Sequence, residues 1–255
     1  MTGPVQEIAD AMDPARAAAL HAALGLPGAA PGPGDPLPPF FHMIHFWQAE
    51  PPRALGRDGH PATGRGIVPD MGLPRRMWAG GRVTRHAPLR AGVPAIRRSR
   101  LAASERKEGR TGPLAFVTLS HEIEQEGAVV LTERQDLVYR EDGAPSAAPV
   151  PAPEGGRALG FDPVLLFRYS ALTLNGHRIH YDEPYATGVE GYGGLVVHGP
   201  LLATLMALEA GAIDFSFRGR APLVCGEAAR LGREGARLWV AGADGRMCME
   251  GRIEG

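Results

Sequence analysis

The chain has 255 residues, enough for one large or two small domains, and a formal net charge of −1 at neutral pH, so it has no general attraction to nucleic acid or anionic lipid. Its two cysteines, Cys225 and Cys248, make no disulfide framework. Its apolar runs are too short to span a bilayer, and no basic segment followed by an apolar core opens it, so a cytoplasmic protein with no membrane partner is expected.

Taken in order, residues 1–30 are Ala-rich, and Asp13-Pro14 predicts the start of a short helix that stops at Gly25 and Pro27. Residues 31–39 are a Pro/Gly loop, Phe40 to Gln48 is an aromatic run that suits a short helix, and residues 50–76 read as irregular. From Gly80 the pattern changes to period two, which predicts strands at Arg82–His86, Ala95–Ser104, Leu114–Glu124 and Val129–Tyr139. The connections EGRTG and EQEG suit antiparallel neighbours. Residues 141–157, rich in Pro and Ala, read as a linker between an N-terminal half, 1–140, and a C-terminal half, 158–255.

In the second half the run from Leu201 to Leu208 is apolar all round, which predicts a buried helix. Gly199 reads as its N-cap and Pro200 as its first residue, which leaves the N–H groups of Gly199, Leu201 and Leu202 for an incoming oxyanion. Strands are predicted at Ala212–Phe217, Leu223–Leu231, Ala236–Ala241 and Arg246–Ile253, the last two joined by the turn ADG.

Several enzyme classes drop out. The single lysine, Lys107, excludes a Walker A loop, and no Ser stands in a G-x-S-x-G elbow. EGYGGLVVHG follows no strand of a βαβ unit and is not a dinucleotide fingerprint. His177 and His180 form an H-x-x-H pair, but the sequence gives no third ligand of clear spacing, so neither a metal nor a cofactor is expected. His180 alone suits general-base work near neutral pH, or is a structural histidine at a loop end. His198, just before Gly199, is either a loop-fixing residue or a substrate contact. Arg75, Arg76 and Arg178 either clamp a carboxylate or phosphate or are solvated. Asp182 reads as an N-cap to a short helix at EPYA. Phe40, Phe41, Phe46 and Trp47 suit core packing better than an acyl pocket.

The stretch TLNGHRIHYDEPYA followed by LVVHG resembles the hydratase motif of the MaoC-like, R-specific enoyl-CoA hydratases. The phrases LPRRMWAGGRVTRHAPLR, RTGPLAFVTLSHEI and FRYSALTLNGHRIHYD are similar to those of the mesaconyl-C4-CoA hydratases and their dehydratase-like relatives, and the likeness runs from about Asp35 to the C-terminus. The resemblance implies a hydro-lyase acting on an acyl-CoA thioester, with His180 as the base and Gly199 in the oxyanion hole. The family's Asp falls on Asn175, which cannot take a proton and is left to orient water. A branched C5 dicarboxylyl-CoA is the implied substrate; a hot-dog thioesterase and a non-catalytic acyl-CoA binder are the competing readings. The resemblance and the strand series on either side of 141–157 together predict an α+β double hot-dog, with the long helix only in the second half. A single jelly-roll or barrel is disfavoured by that buried helix, and a homodimer is left open.

Overall fold

The computed structural model describes residues 4–109, 112–142, 148–211 and 214–254. Ten strands form one antiparallel sheet: β1 (Val5–Asp10), β2 (Arg75–Arg85), β3 (Ala95–Gly109), β4 (Gly112–Gln125), β5 (Ala128–Arg140), β6 (Arg157–Leu159), β7 (Asp214–Gly219), β8 (Ala229–Glu234), β9 (Arg237–Ala241) and β10 (Met247–Ile253). Their order is β1-β3-β4-β5-β2-β7-β10-β9-β8-β6. Read inward from each edge, both halves have their five strands in the order first, third, fourth, fifth, second. The two second strands meet at the centre, where Gly80 faces Arg218 and Thr84 faces Asp214. This repeated order is the α+β double hot-dog expected from the sequence.

The helices lie between the first and second strand of each half. Both halves open with an Asp-Pro helix start: α1 (Pro14–Ala23) has its first turn capped by the Asp13 carboxylate, and α2 (Pro163–Thr173) by Asp162. In the second half α3 (Glu183–Gly188) and α4 (Gly199–Ala210) follow. Helix α4 packs on β10, β9, β2 and β7. Leu201, Leu202, Ala203, Met206 and Ala207 are all buried there, and each large side chain contributes about 1.5–3 kcal/mol by leaving water. Among the described residues the first half has in the corresponding place the 3₁₀ turns Phe41–Ile44 and Pro52–Ala54. Phe40, Phe41 and Phe46 are core residues, while Trp47 is partly exposed, lies under the Arg16 guanidinium and donates to the Leu172 carbonyl at 3.0 Å.

Several boundaries differ from the sequence reading. Arg75 and Arg76 open β2 rather than lying in a loop. Strands β1 and β6 and helix α2 were not anticipated, and β8 begins at Ala229 because residues 223–225 instead bond to 195–197. The expected linker is partly sheet: Val150 and Ala152 bond to Met247 and Gly245, and Arg157 opens β6. Residues 143–147 of that linker, Arg110 and Thr111 of the EGRTG connection, and the first two residues of the strand expected at 212–217 lie outside the described residues. Among the described residues, no helix is long and apolar enough to cross a membrane.

Candidate active site

Helix α2 ends where Leu174 takes a left-handed conformation, and the chain then turns on Asn175, whose Oδ1 accepts the His177 N–H at 3.0 Å. A carboxylate at 175 would accept the same bond. The turn leads into a 3₁₀ segment, Arg178–His180, and then α3, where Asp182 caps Tyr185 N as expected and pairs with Arg178 at 2.8 Å. His180 is buried, and its Nδ1–H donates to the Val196 carbonyl at 2.7 Å. A carbonyl only accepts, so the bond fixes the proton on Nδ1 and leaves Nε2 with its lone pair. The His180 ring stacks on His198 at 3.6 Å between centroids. His198 is wholly buried and pairs through Nε2 with the Ser170 hydroxyl at 2.8 Å.

Burial pushes His180 well below its ordinary pKa, and His198 and His177 push the same way. Burial likewise brings His198 down to about 3. Both rings are therefore neutral near pH 7, and His180 offers Nε2 as a base.

These shifts predict how stability depends on pH. In the unfolded chain a histidine takes its proton near 6.5. In the fold His198 does so only at about 3 and His60 at about 4, chiefly because the surrounding protein strips water from the charged ring, wholly at His198 and partly at His60. Below 6.5 the unfolded state thus binds more protons. Stability should be full above pH 6.5 and fall as pH drops towards 4, by up to about 1.4 kcal/mol per pH unit for each histidine. Thermal melts between pH 7.5 and 4.5 check this; a flat profile would contradict it.

Against the His180 ring, through the edge of His177, lies a buried ion-pair chain. His177 Nε2 is 3.3 Å from one oxygen of Glu190, and Arg75 Nε is 3.2 Å from the other. Glu190 is 3 % exposed and Arg75 1 %. Burial alone would raise the Glu190 carboxyl, but His177 and Arg75 outweigh it and hold it below the usual range. A loop of the first half closes over this chain. The Arg178 N–H donates to the Asp58 carbonyl at 2.9 Å. Gly59 and Gly176 approach so closely that a Cβ on either would run into the other's backbone. The loop carries His60 to 4.6 Å from the His177 ring, with Asp58 bonded to His60 Nδ1 at 3.1 Å and 3.7 Å from Arg76.

Gly199 is the first residue of α4 and His198 its N-cap, one residue earlier than the sequence suggested. Leu202 N is already bonded to the His198 carbonyl at 3.1 Å, which leaves the N–H groups of Gly199 and Leu201 in the unpaired first turn. A Cβ on Gly199 would lie 2.7 Å from Trp78 Cε3, so only glycine lets β2 of the other half pack against this helix end.

Thus His180, His198 and Gly199 come together, while Asn175 is bonded to the His177 N–H and the Ser170 carbonyl on the turn that leads into them. The three arginines are brought near it but are each paired with a carboxylate: Arg75 with Glu190, Arg76 with Asp58, Arg178 with Asp182. The H-x-x-H pair is not a chelate: the two rings meet edge to face at 5.4 Å. The sequence reading missed Ser170, Glu190, Asp58, His60 and Trp78. Glu190 and Asp58 stand among glycines in stretches that read as loop, and neither spacing nor periodicity marks them.

The model of the hydroxyacyl-thioester dehydratase type 2 family matches residues 40–225. A mesaconyl-C(4)-CoA hydratase of Chloroflexus aurantiacus is 46 % identical over 233 residues, covering 87 % of this chain and 83 % of that protein. The mitochondrial hydroxyacyl-thioester dehydratase type 2 of Schizosaccharomyces pombe is 28 % identical, with 67 % of this chain and 65 % of that one covered. Among solved structures, HtdX of Mycobacterium tuberculosis superposes with a TM-score of 0.69 at 20 % identity, covering 98 % of both chains. A second protein of that organism, with a double hotdog fold, gives 0.61 at 14 % identity, covering 99 % of this chain and 95 % of that one. With nearly three quarters of its length matched by the family model and a 46 % identical relative covered over most of both chains, the chain belongs to the hydroxyacyl-thioester dehydratase type 2 family of MaoC-like hot-dog proteins.

Proposed function

We propose that the chain is a cytoplasmic hydro-lyase that adds water across the double bond of an enoyl-CoA thioester, with mesaconyl-C4-CoA as substrate and citramalyl-CoA as product. The observation that carries the reading is the neutral His180, whose Nδ1 is tied to Val196 while Nε2 stays free to take a proton. His180 Nε2 removes a proton from water as the water oxygen bonds to the β-carbon. The double-bond electrons move towards the thioester oxygen, which is held by the Gly199 N–H and the positive end of α4. The proton then passes to the α-carbon and neutral His180 is regenerated. The Asn175 carbonyl oxygen is taken by the His177 N–H, so its amide NH₂ is the group left to orient the water.

In mesaconyl-C4-CoA the reacting carbon itself carries a carboxylate, so a cation is needed close to His180. An unpaired carboxylate in a recessed site is strongly disfavoured. Arg178 donates two N–H bonds to one oxygen of Asp182, and Arg75 is locked to Glu190 in the interior. Arg76 has the longest of the three pairings, 3.7 Å to Asp58, and is the best of them to turn to a substrate.

The test is to follow loss of enoyl-thioester absorbance and release of free CoA together. Absorbance loss without CoA release is the expected result; CoA release would mean a thioesterase, and binding without either change a non-catalytic binder. Wild type should prefer mesaconyl-C4-CoA to crotonyl-CoA, and Arg76→Met should cut that preference about tenfold, equivalent to roughly 1.4 kcal/mol. An unchanged ratio in Arg76→Met removes Arg76 from the carboxylate role.

A further inference from the structure

Asp58, His60 and His177 are brought together by the closure of the first-half loop over the second-half turn. One donor atom from each lies within 4.8 Å of the other two. The sequence separates Asp58 and His177 by more than a hundred residues, so this trio is a product of the fold. From it we infer that the chain has a binding site for a zinc-like divalent transition-metal ion, built from both halves, and that an ion there blocks the active site.

Two imidazoles and a carboxylate are the donor set of a three-ligand zinc site with an open fourth position. Bonds of about 2.1 Å in a tetrahedron place donors roughly 3.4 Å apart, so the trio has to close by up to about 1.4 Å, within reach of side-chain rotation. The backbones that carry it are already locked, by the Arg178 N–H to the Asp58 carbonyl and by the Gly59–Gly176 contact. The side chains remain reachable: His60 is 26 % exposed, Asp58 12 % and His177 8 %. Glu190, now 3.3 Å from His177 Nε2, is placed as the outer carboxylate that orients a metal-bound histidine. Hard cations such as magnesium, which want six oxygens, are not suited by this set.

The inhibitory effect rests on the hydratase reading. The His177 ring meets the His180 ring at 5.4 Å. An ion on His177, with the water in its open fourth position, would stand beside His180 and crowd substrate away from it.

The experiment has two arms, and the first needs no activity. The chain is stripped with a chelator and titrated with zinc chloride against a chromogenic zinc indicator. One equivalent should bind with micromolar affinity. His60→Ala and Asp58→Asn should each weaken it tenfold or more, with unchanged circular dichroism, while His180→Ala should bind as wild type does. No stoichiometric binding, or equal affinity in His60→Ala and Asp58→Asn, overturns the site. In the second arm, zinc at saturation should slow hydration of mesaconyl-C4-CoA at least tenfold, reversibly on adding chelator, and His60→Ala should need at least tenfold more zinc. Binding that leaves hydration unslowed overturns the blocking role. A chain that hydrates nothing bears on the proposed function alone, since the first arm is read without turnover.

Discussion

His180→Ala is expected to lower kcat for hydration by about 10²–10⁴, the usual cost of removing a general acid–base group. The loss should appear in kcat and in kcat/KM alike, because the proton moves only in the transition state. The alanine variant also loses the bond to the Val196 carbonyl and the stacking on His198, so some destabilisation accompanies it. His180→Gln separates the two effects. A glutamine amide can still donate to Val196, which keeps roughly 1 kcal/mol of hydrogen bonding, but it has no nitrogen that takes a proton near neutral pH. Glutamine should therefore fold nearly as well as wild type and be as inactive as alanine. Initial rates on mesaconyl-C4-CoA decide it: a His180→Gln enzyme within threefold of wild type would show that another group takes the proton.

What the sequence could reveal follows from how local each signal was. Helix α1, the hairpin at Glu126-Gly127, the turn before β10 and the Asp182 cap each rest on neighbours within a few residues. The buried helix α4 was legible because it has no polar face, though its cap fell one residue early. Helix α2 opens with the same Asp-Pro signal as α1 but was missed. It exposes Val164 and Phe167, both 64 % accessible, so no apolar stripe separates its faces. Strand β1 was hidden for the opposite reason: it is a six-residue edge strand paired only with β3, and its Val5 is exposed. The start of β2 was masked by a Gly/Pro-rich approach and two arginines, one of them fully buried. The site divides in the same way. His180, Asn175 and Gly199 lie in one continuous phrase, and their roles are what the resemblance implies. The contacts that hold the site together, His177 with His60, Glu190 with Arg75, and Gly199 with Trp78, join the two halves. No pattern within a single segment predicts a contact of that span.

The largest stability effect should come from Glu190→Gln. Glu190 and Arg75 are both almost fully buried, and the carboxylate faces Arg75 at 3.2 Å and His177 at 3.3 Å. Neutralising Glu190 keeps the shape but leaves the buried guanidinium without that opposite charge. Breaking one side of a buried ion pair costs about 3–5 kcal/mol. For a chain of this size each kcal/mol moves Tm by about 2–4 °C, so a drop of roughly 10 °C is expected. The exposed pair Arg82–Asp214 is the control. It is bidentate, with contacts of 2.8 and 2.6 Å, shorter than those of Glu190. Yet Arg82 is 51 % exposed, and water and salt screen such a pair to about 1 kcal/mol or less. Asp214→Asn should therefore shift Tm by no more than a few degrees. Burial rather than distance decides the ranking. Adding Arg75→Met to Glu190→Gln should recover part of the loss, since removing both charges also removes the cost of the one left behind. Thermal melts of the four proteins at pH 7.5 test this. If Glu190→Gln melts within about 2 °C of wild type, or no more than Asp214→Asn does, the buried chain from Arg75 through Glu190 to His177 is not what holds the two halves around His180.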